Sequence, residues 1–234
     1  MKPIKDFLDR SAWCARLAED VLARVHADVT CRFYAAGSII APRAQRLNHW
    51  LGIMDGVAVV GCDSPTGKPA FFITVPERGW FGEGSVLKDE PLRYEAFAKT
   101  DCRVACLPRD TFMWLFETSI EFNHALVSQL NERCSQFFTM VTLDRTGTVE
   151  ERVAKCLLSL LNPVLYPGSG RALLLSQEEV GYLCGLSRQT VNRVLRDLEQ
   201  AGLVRVEFKQ VTVLDPARLL GYTVHSRPQL SGPR

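Results

Sequence analysis

Between Ser187 and Arg196 the chain gathers Ser187, Arg188, Gln189, Thr190, Asn192, Arg193 and Arg196. These are residue types that read nucleic acid. An arginine fork matches the paired acceptors of guanine, glutamine and asparagine donate and accept at adenine, and serine and threonine hydroxyls hold phosphate. Val191, Val194, Leu195 and Leu198 recur between them at helical spacing, so the polar residues lie on the opposite side of a helix, mostly in its first two turns. Those are the positions that reach base edges when a helix enters a major groove.

The flanking sequence supplies what such a helix needs. Ser187 is a capping residue, and Cys184-Gly185-Leu186 before it is a three-residue corner containing a glycine. Ser176-Gln177-Glu178-Glu179 reads as a capping box that starts a preceding helix, with Val180 and Leu183 buried. Two helices joined by a short glycine turn have helix-turn-helix spacing. After Ala201-Gly202, "LVRVEFKQVTVLD" alternates as a hairpin with Lys209-Gln210 near its tip, a wing whose Lys209 is available to phosphate. Upstream, Gly147 breaks a helical pattern, "TVEERVAKCLLSLLN" is an amphipathic helix ending before Pro163, "LYPGSGR" is a loop and "ALLL" a short strand. An arginine-bearing helix face is often merely solvated, and helix-turn-helix shapes occur in proteins that never touch DNA. Here the cap, turn, second cap, polar cluster and wing fall in the order DNA binding requires. The formal charge is +2 overall, while the segment from Gly147 onward carries eleven Lys and Arg against eight Asp and Glu.

The remainder of the 234 residues, of which 47% are hydrophobic and 23% charged across the chain, is long enough to hold a second folded unit. Ile4 to His26 reads as one or two short helices. Thr30 to Leu107 holds short β-like runs, among them "HWLGIMDGVAVVG", "AFFITV", "RGWFGEGSVL" and "CRVACL". Asp55-Gly56 is a hairpin signal and Ser64-Pro65-Thr66-Gly67 a loop. The pattern predicts an antiparallel barrel, roll or sandwich, hence an α+β chain. Arg109 to about Thr146 is helical, with Phe122, Leu126, Leu130, Cys134, Phe137, Phe138 and Val141 in one stripe. Either that helix lies across the β-region, or the stripe pairs with its copy in a second subunit; we adopt the dimer, since one recognition helix per chain calls for a partner.

The N-terminus threads charges through "MKPIKDFLDRSAWCARL" and offers no secretory signal, and no segment is apolar enough to span a bilayer, so a cytoplasmic protein without membrane contact is expected. The eight cysteines lack ligand spacing, and Cys102 and Cys106 share one strand face, so core packing is expected rather than a metal site.

With these elements in order, the chain resembles the Crp/Fnr superfamily of bacterial transcription regulators over nearly its whole length. "LSRQTVNRVLRDLEQAGLV" is similar to the family's recognition helix, "GWFGEGSVL" to the Gly-Glu turn of its effector-binding β-roll, and the long helix to its dimerisation helix. The resemblance implies an N-terminal antiparallel β-roll sensor, cupin-like and cyclic-nucleotide-binding-domain-like, in residues 1–118. A dimerisation helix in 119–146, with Phe122, Leu126, Leu130, Cys134, Phe137 and Val141 on its seam, and a winged helix-turn-helix in 147–225 follow, then a flexible tail in 226–234. It also implies a homodimer on a palindromic double-stranded operator, contact with RNA polymerase, and no enzymatic activity. Gln189 and Arg193 take the positions of the main base readers, with Arg188 beside them. The family more often has glutamate at the position of Gln189, which leaves the choice between cytosine and adenine open.

For the sensor, the resemblance points to Gly82, Glu83, Arg93 and Tyr94. Cyclic-nucleotide binders of the family hold ribose with a Gly-Glu pair and the cyclic phosphate with Arg-Ser or Arg-Thr about ten residues on. Here Tyr94 and Glu95 follow Arg93, and a register set from "AKT" puts Leu92 in the arginine's place. Either way the short hydroxyl is missing, so cyclic AMP is not the expected effector, and Gly82-Glu83 reads as a structural turn whose carboxylate caps local amides. With only Cys14 near the N-terminus, no iron–sulfur cluster is expected. Haem would need an axial ligand from His26, His49 or His124 and is not expected either. A small organic effector in a pocket shaped by Phe71, Phe72, Trp80, Phe81 and Phe97 remains, and those rings can equally be core. A rival class makes the roll the working part, a stand-alone small-molecule-binding protein or cupin-like enzyme whose winged helix only contacts protein; its enzyme form is disfavoured because His49 is the one histidine between Thr30 and Leu107.

Overall fold

The computed structural model describes residues 4–63, 69–168 and 170–225. Two compact units emerge. The first runs to Cys134 and includes the short segment that begins at Pro163; the second holds Ser135–Asn162 and the chain from Gly170 onward. The loop at Ser64-Pro65-Thr66-Gly67 and the tail 226–234 lie outside the described residues.

In the first unit, helices α1 (Ile4–Asp9) and α2 (Glu19–Asp28) precede strands β1 (Thr30–Tyr34), β2 (Ile39–Ala41), β3 (His49–Asp55), β4 (Ala58–Asp63), β5 (Pro69–Val75) and β6 (Trp80–Phe81). Helix α3 (Glu83–Lys88), strands β7 (Glu95–Ala98) and β8 (Cys102–Pro108), helix α4 (Arg109–Thr118) and the long helix α5 (Ile120–Thr146) follow. The strands form two antiparallel four-stranded sheets, β1-β8-β3-β6 and β2-β7-β4-β5. Because side chains alternate across a strand, Ile53, Cys102, Val104 and Cys106 from one sheet meet Ala58, Val75, Ala96 and Ala98 from the other in a closed apolar interior. The opposite face of the first sheet carries Trp50, Ala105 and Leu107, packed with Trp80, Trp13, Phe112 and Phe122 from neighbouring elements. Ring centroids there are 4.5 to 5.8 Å apart, at tilted or edge-on angles that aromatic quadrupoles favour.

Three expectations change. Asp55-Gly56 does not close a hairpin, because β3 and β4 belong to different sheets and the turn carries the chain from one to the other. "GEGSVL" is not strand: it turns at Gly82 into α3. The third is the seam. Phe122 and Leu126 are buried against the roll, and Leu130 packs on the same cluster, so these three face inward and cannot line a dimer surface. Cys134, Phe137 and Val141 are exposed. The free face of α5 instead carries Ile120, Val127, Cys134 and Val141 at seven-residue intervals, with His124, Asn131 and the 74% exposed Phe138 between them.

In the second unit, α6 (Val149–Ser159), β9 (Ala172–Leu173), α7 (Gln177–Cys184), α8 (Arg188–Gln200), β10 (Val204–Glu207), β11 (Gln210–Val213) and α9 (Pro216–His225) form a winged helix with sheet order β10-β11-β9. Val153, Leu157, Val180, Val191, Val194, Leu195, Leu198, Val211 and Leu219 are buried in its core. Both expected features of the α7 start are present: Ser176 Oγ accepts from Glu179 N at 3.2 Å, and Glu179 Oε2 accepts from Ser176 N at 2.7 Å. The same reciprocal cap, Thr148 with Glu151, opens α6.

Candidate nucleic-acid interface and sensor turn

The corner between α7 and α8 depends on backbone that few residues adopt. Gly185 ends α7 in the left-handed region at φ 62°, a conformation a side chain would strain. Its neighbours leave little room as well, since a Cβ there would meet Arg152 Nη2 at 3.0 Å. Arg152 also donates to Cys184 O and to Asp144 Oδ1, so the corner is tied to α6. Ser187 then caps α8, its Oγ accepting from Thr190 N at 3.1 Å and lying 2.9 Å from Thr190 Oγ1.

This geometry leaves Arg188, Gln189, Arg193 and Arg196 exposed along one side of α8, with Thr190 and Asn192 half-buried. Two of the sequence-derived readers already have partners. Asn192 Nδ2 donates to Gln177 Oε1 at 2.8 Å, tying α8 to α7. Arg193 Nη1 lies 3.1 Å from Glu150 Oε1 and 3.6 Å from Asp197 Oδ2. Lys209 sits at the wing tip in the left-handed region, φ 55°, with its ammonium 5.5 Å from the centroid of the exposed Phe208 ring. Gln177 and Glu150 were not singled out from the sequence. Their roles depend on partners in other helices.

The sensor candidates do not come together. Gly82 turns the chain at φ 90°, and a Cβ there would stand 2.4 Å from Leu47 Cδ2. Glu83 follows in the first turn of α3 but caps no local amide. The Glu83 side chain is 8% exposed, and its Oε1 lies 3.9 Å from Nε of Arg133, a buried residue of α5. Arg133 donates from Nη1 to Tyr166 Oη at 3.0 Å and from Nη2 to Trp80 O at 3.2 Å, and Gln129 Nε2 reaches Trp80 O at 3.4 Å. Tyr94 is near: burial, then the Glu83 carboxylate, push its phenol up, against a hydrogen bond with Ser85. Arg93 points away, its side chain 86% exposed and 3.9 Å from Glu90 Oε2. Leu92 is buried inside the roll. Glu95 lies on the strand face opposite Ala96 and Ala98, which face the interior, so it does not confront that space.

The rings considered as one pocket separate. Trp80 belongs to the outer aromatic cluster, Phe81 to the roll interior, and Phe71 pairs with Phe97 at 5.5 Å. His26 faces Asp9, His49 starts β3 with its imidazole lowered by burial and then by Arg32, and His124 lies on the exposed face of α5. Among the described residues no group of three His, Cys, Asp or Glu side chains converges as a metal site, and no helix is long and apolar enough to cross a membrane. The eight cysteines are unpaired; burial pushes Cys106 up to about 11, which keeps it a packing residue.

Comparison with known proteins agrees with this division. Residues 31–119 match the cyclic nucleotide-binding domain family and residues 151–222 the Crp-like helix-turn-helix domain family. A CRP-like cAMP-activated global transcriptional regulator of Mycobacterium tuberculosis is 29% identical over 174 residues, 71% of this chain and 76% of that protein. The cAMP-activated global transcriptional regulator Vfr of Pseudomonas aeruginosa is 29% identical over 193 residues, 78% of this chain and 88% of that protein. Among solved structures, FixK2 from Bradyrhizobium japonicum superposes with a TM-score of 0.68 at 21% identity, covering 82% of this chain and 96% of that one. At that identity it establishes a shared fold.

Proposed function

The chain is a member of the Crp/Fnr superfamily of DNA-binding transcription regulators rather than an enzyme, and on that premise we propose that it works as a cytoplasmic homodimer whose α8 helices read a pseudo-palindromic operator. The observation that carries this is α8 itself: four exposed polar readers on a capped helix whose other face is wholly buried. The sensor occupies residues 1–118, the dimerisation helix 119–146 and the DNA reader 147–225. The subunits pair through the free face of α5, where Ile120, Val127, Cys134 and Val141 repeat at the heptad interval of a two-stranded seam. Gln189 and Arg193 read bases, with Arg188 and Arg196 beside them, and Ser187, Thr190 and Lys209 hold phosphate. Asn192 serves the helix pair through Gln177. RNA polymerase is the protein partner the family implies.

The effector is not cyclic AMP, although related regulators are described as cAMP-activated. A buried cyclic phosphate needs charge-assisted donors to offset its desolvation. Here Leu92 is buried in the roll, Arg93 is turned to solvent, and the guanidinium beside Glu83 is already bonded to Tyr166 and Trp80. The residues present do not fit that ligand.

Selection of duplexes from a randomised library should return inverted half-sites whose centres are about 10 bp apart. Sedimentation should give a dimer at micromolar concentration. A monomer with full affinity for the selected duplex would refute the proposal. Calorimetric titration with cyclic AMP should show no micromolar binding that alters duplex affinity; such binding would assign Arg93 to phosphate.

A further inference from the structure

Along the inner face of the first sheet, Leu51 and Ile53 of β3 and Val104 and Cys106 of β8 fill the roll with apolar groups. At one end the pattern breaks. Arg32 stands opposite Val104 in the ladder and His49 lies two residues before Leu51, so both start from the inward-facing side of their strands. A cavity of about 280 Å3 opens there. Arg32, Gln45, Asn48 and His49 give it a polar lining, and Ile40, Leu47 and Leu92 an apolar one, while neither Glu83 nor Arg93 borders it. The volume falls just below the range of about 300–1,000 Å3 that drug-sized ligands occupy, so its occupant is a small molecule.

The loop between β2 and β3 that borders the cavity is fixed in place. Ala44 N donates to Leu92 O and Leu92 N to Gln45 O, both at 2.9 Å, and Arg46 Nη1 lies 2.8 Å from Asp89 Oδ2. Ala44 is held at φ 62°, a left-handed conformation that a residue with a side chain keeps only where its surroundings over-determine it. The site is thus built before a ligand arrives, which lowers the ordering cost of binding. Charge then selects the ligand. Asp89 already neutralises Arg46, and burial, then the Arg32 charge, lower His49, which leaves a neutral imidazole with one N–H to donate at neutral pH. Of the three basic side chains in the lining, only Arg32 is a cation without an ion-pair partner among the described residues. Its guanidinium fork fits one carboxylate through two parallel hydrogen bonds, whereas a second negative charge on the ligand would meet Asp89 without a cation left to offset it.

We propose that this cavity takes a small monocarboxylic acid as effector, its carboxylate on Arg32 with His49 donating beside it, and its hydrocarbon part over Leu47 and Leu92. The role as effector rests on the reading of the roll as the sensor. A plainer account is that Arg32, on the edge strand β1, only guards that edge against pairing with another chain. The two accounts part on ligand binding.

The test titrates the full-length protein in a calorimeter with hexanoate, 1-hexanol, hexylamine and hexyl phosphate, repeats the titrations on Arg32→Gln and Arg32→Lys, and measures affinity for the selected duplex with and without hexanoate. Hexanoate should bind with a dissociation constant of about 1 mM or tighter, and the alcohol, amine and phosphate about tenfold more weakly or worse. Arg32→Gln should weaken hexanoate about tenfold or more while the melting temperature stays within about 3 °C, since the side chain is exposed. Arg32→Lys, which keeps the charge and loses the fork, should fall between. Saturating hexanoate should change duplex affinity about fivefold or more. No hexanoate binding at about 10 mM, or binding that hexanol matches or that Arg32→Gln leaves intact, overturns the site. An Arg32→Gln chain that aggregates yet binds hexanoate as the wild type does assigns Arg32 to edge protection and overturns it too. Binding without a change in duplex affinity upholds the cavity and overturns its role as the effector site. Should the wild type select no duplex, the regulator reading fails, while the titrations still judge the cavity.

Discussion

In the winged helix the side chains that would meet DNA point outward from a core that is complete without them. In the roll, the side chains around the sensor turn point inward and rely on partners as far as 53 residues along the chain. The first arrangement lets reader residues change without disturbing the fold, because Arg188, Gln189 and Arg196 contribute nothing to the α8 core. The second gives no such freedom. A change at Glu83, Arg133 or Tyr166 takes an interaction from a buried polar neighbour, so the proposed sensor turn cannot vary without a cost in stability.

The sharpest way to break this contrast lies in α5, which has an inward and an outward apolar side. Phe122→Ala should destabilise the roll by about 3–5 kcal/mol in denaturant unfolding and leave the folded protein dimeric. Phe138→Asp should do the reverse, with roll stability within about 0.5 kcal/mol of wild type and a monomer in sedimentation. Exchanged outcomes would mean that the two sides of α5 have been assigned the wrong way round.

On α8 the expected effects are smaller. Arg193→Ala should weaken binding to the selected duplex by about 1–3 kcal/mol and flatten preference at one base pair per half-site. Asn192→Ala should leave base preferences intact and cost the winged helix about 0.5–1.5 kcal/mol through the lost bond to Gln177. Equal losses for Arg193→Ala on selected and random duplexes would reduce that arginine to a phosphate contact. Smallest is the wing: Lys209→Ala should weaken all sequences alike and lower the slope of affinity against salt by about one counterion.

What could be read from the sequence divides along the same line. Both helix starts in the reader, the glycine corner and the α8 face are specified within ten residues or so, by capping and periodicity, and the structure places them as expected. The α5 stripe was visible, but its direction was not. Phe122, Leu126, Leu130, Cys134 and Phe138 follow one another at steps of four, and at 3.6 residues per turn each step drifts about 40° around the helix, roughly 160° from first to last. One apparent stripe therefore begins against the roll and ends on the opposite side. The topology at Asp55-Gly56 depended on which strands pair, which no turn motif states. The sensor was least legible: Arg133 and Tyr166 carry no local signature, and a sign of their role is only that Gln129 and Arg133, four apart, place polar groups beside the inward-facing Leu126 and Leu130.

The pairing of Arg193 with Glu150 and Asp197 bears on how the regulator travels through a genome. An arginine tethered by carboxylates is less available to grip whatever sequence the protein is sliding over, so chance encounters are brief and the search stays fast. If Arg193 reads a guanine as proposed, two directed hydrogen bonds would replace the tether there, and exchanging partners would bring its gain at that base. On the proposed reading, Glu150 and Asp197 would act as a decoy that each base pair must outcompete. Loss of the decoy would lengthen residence on random DNA more than on the operator, giving a protein that binds more and finds less.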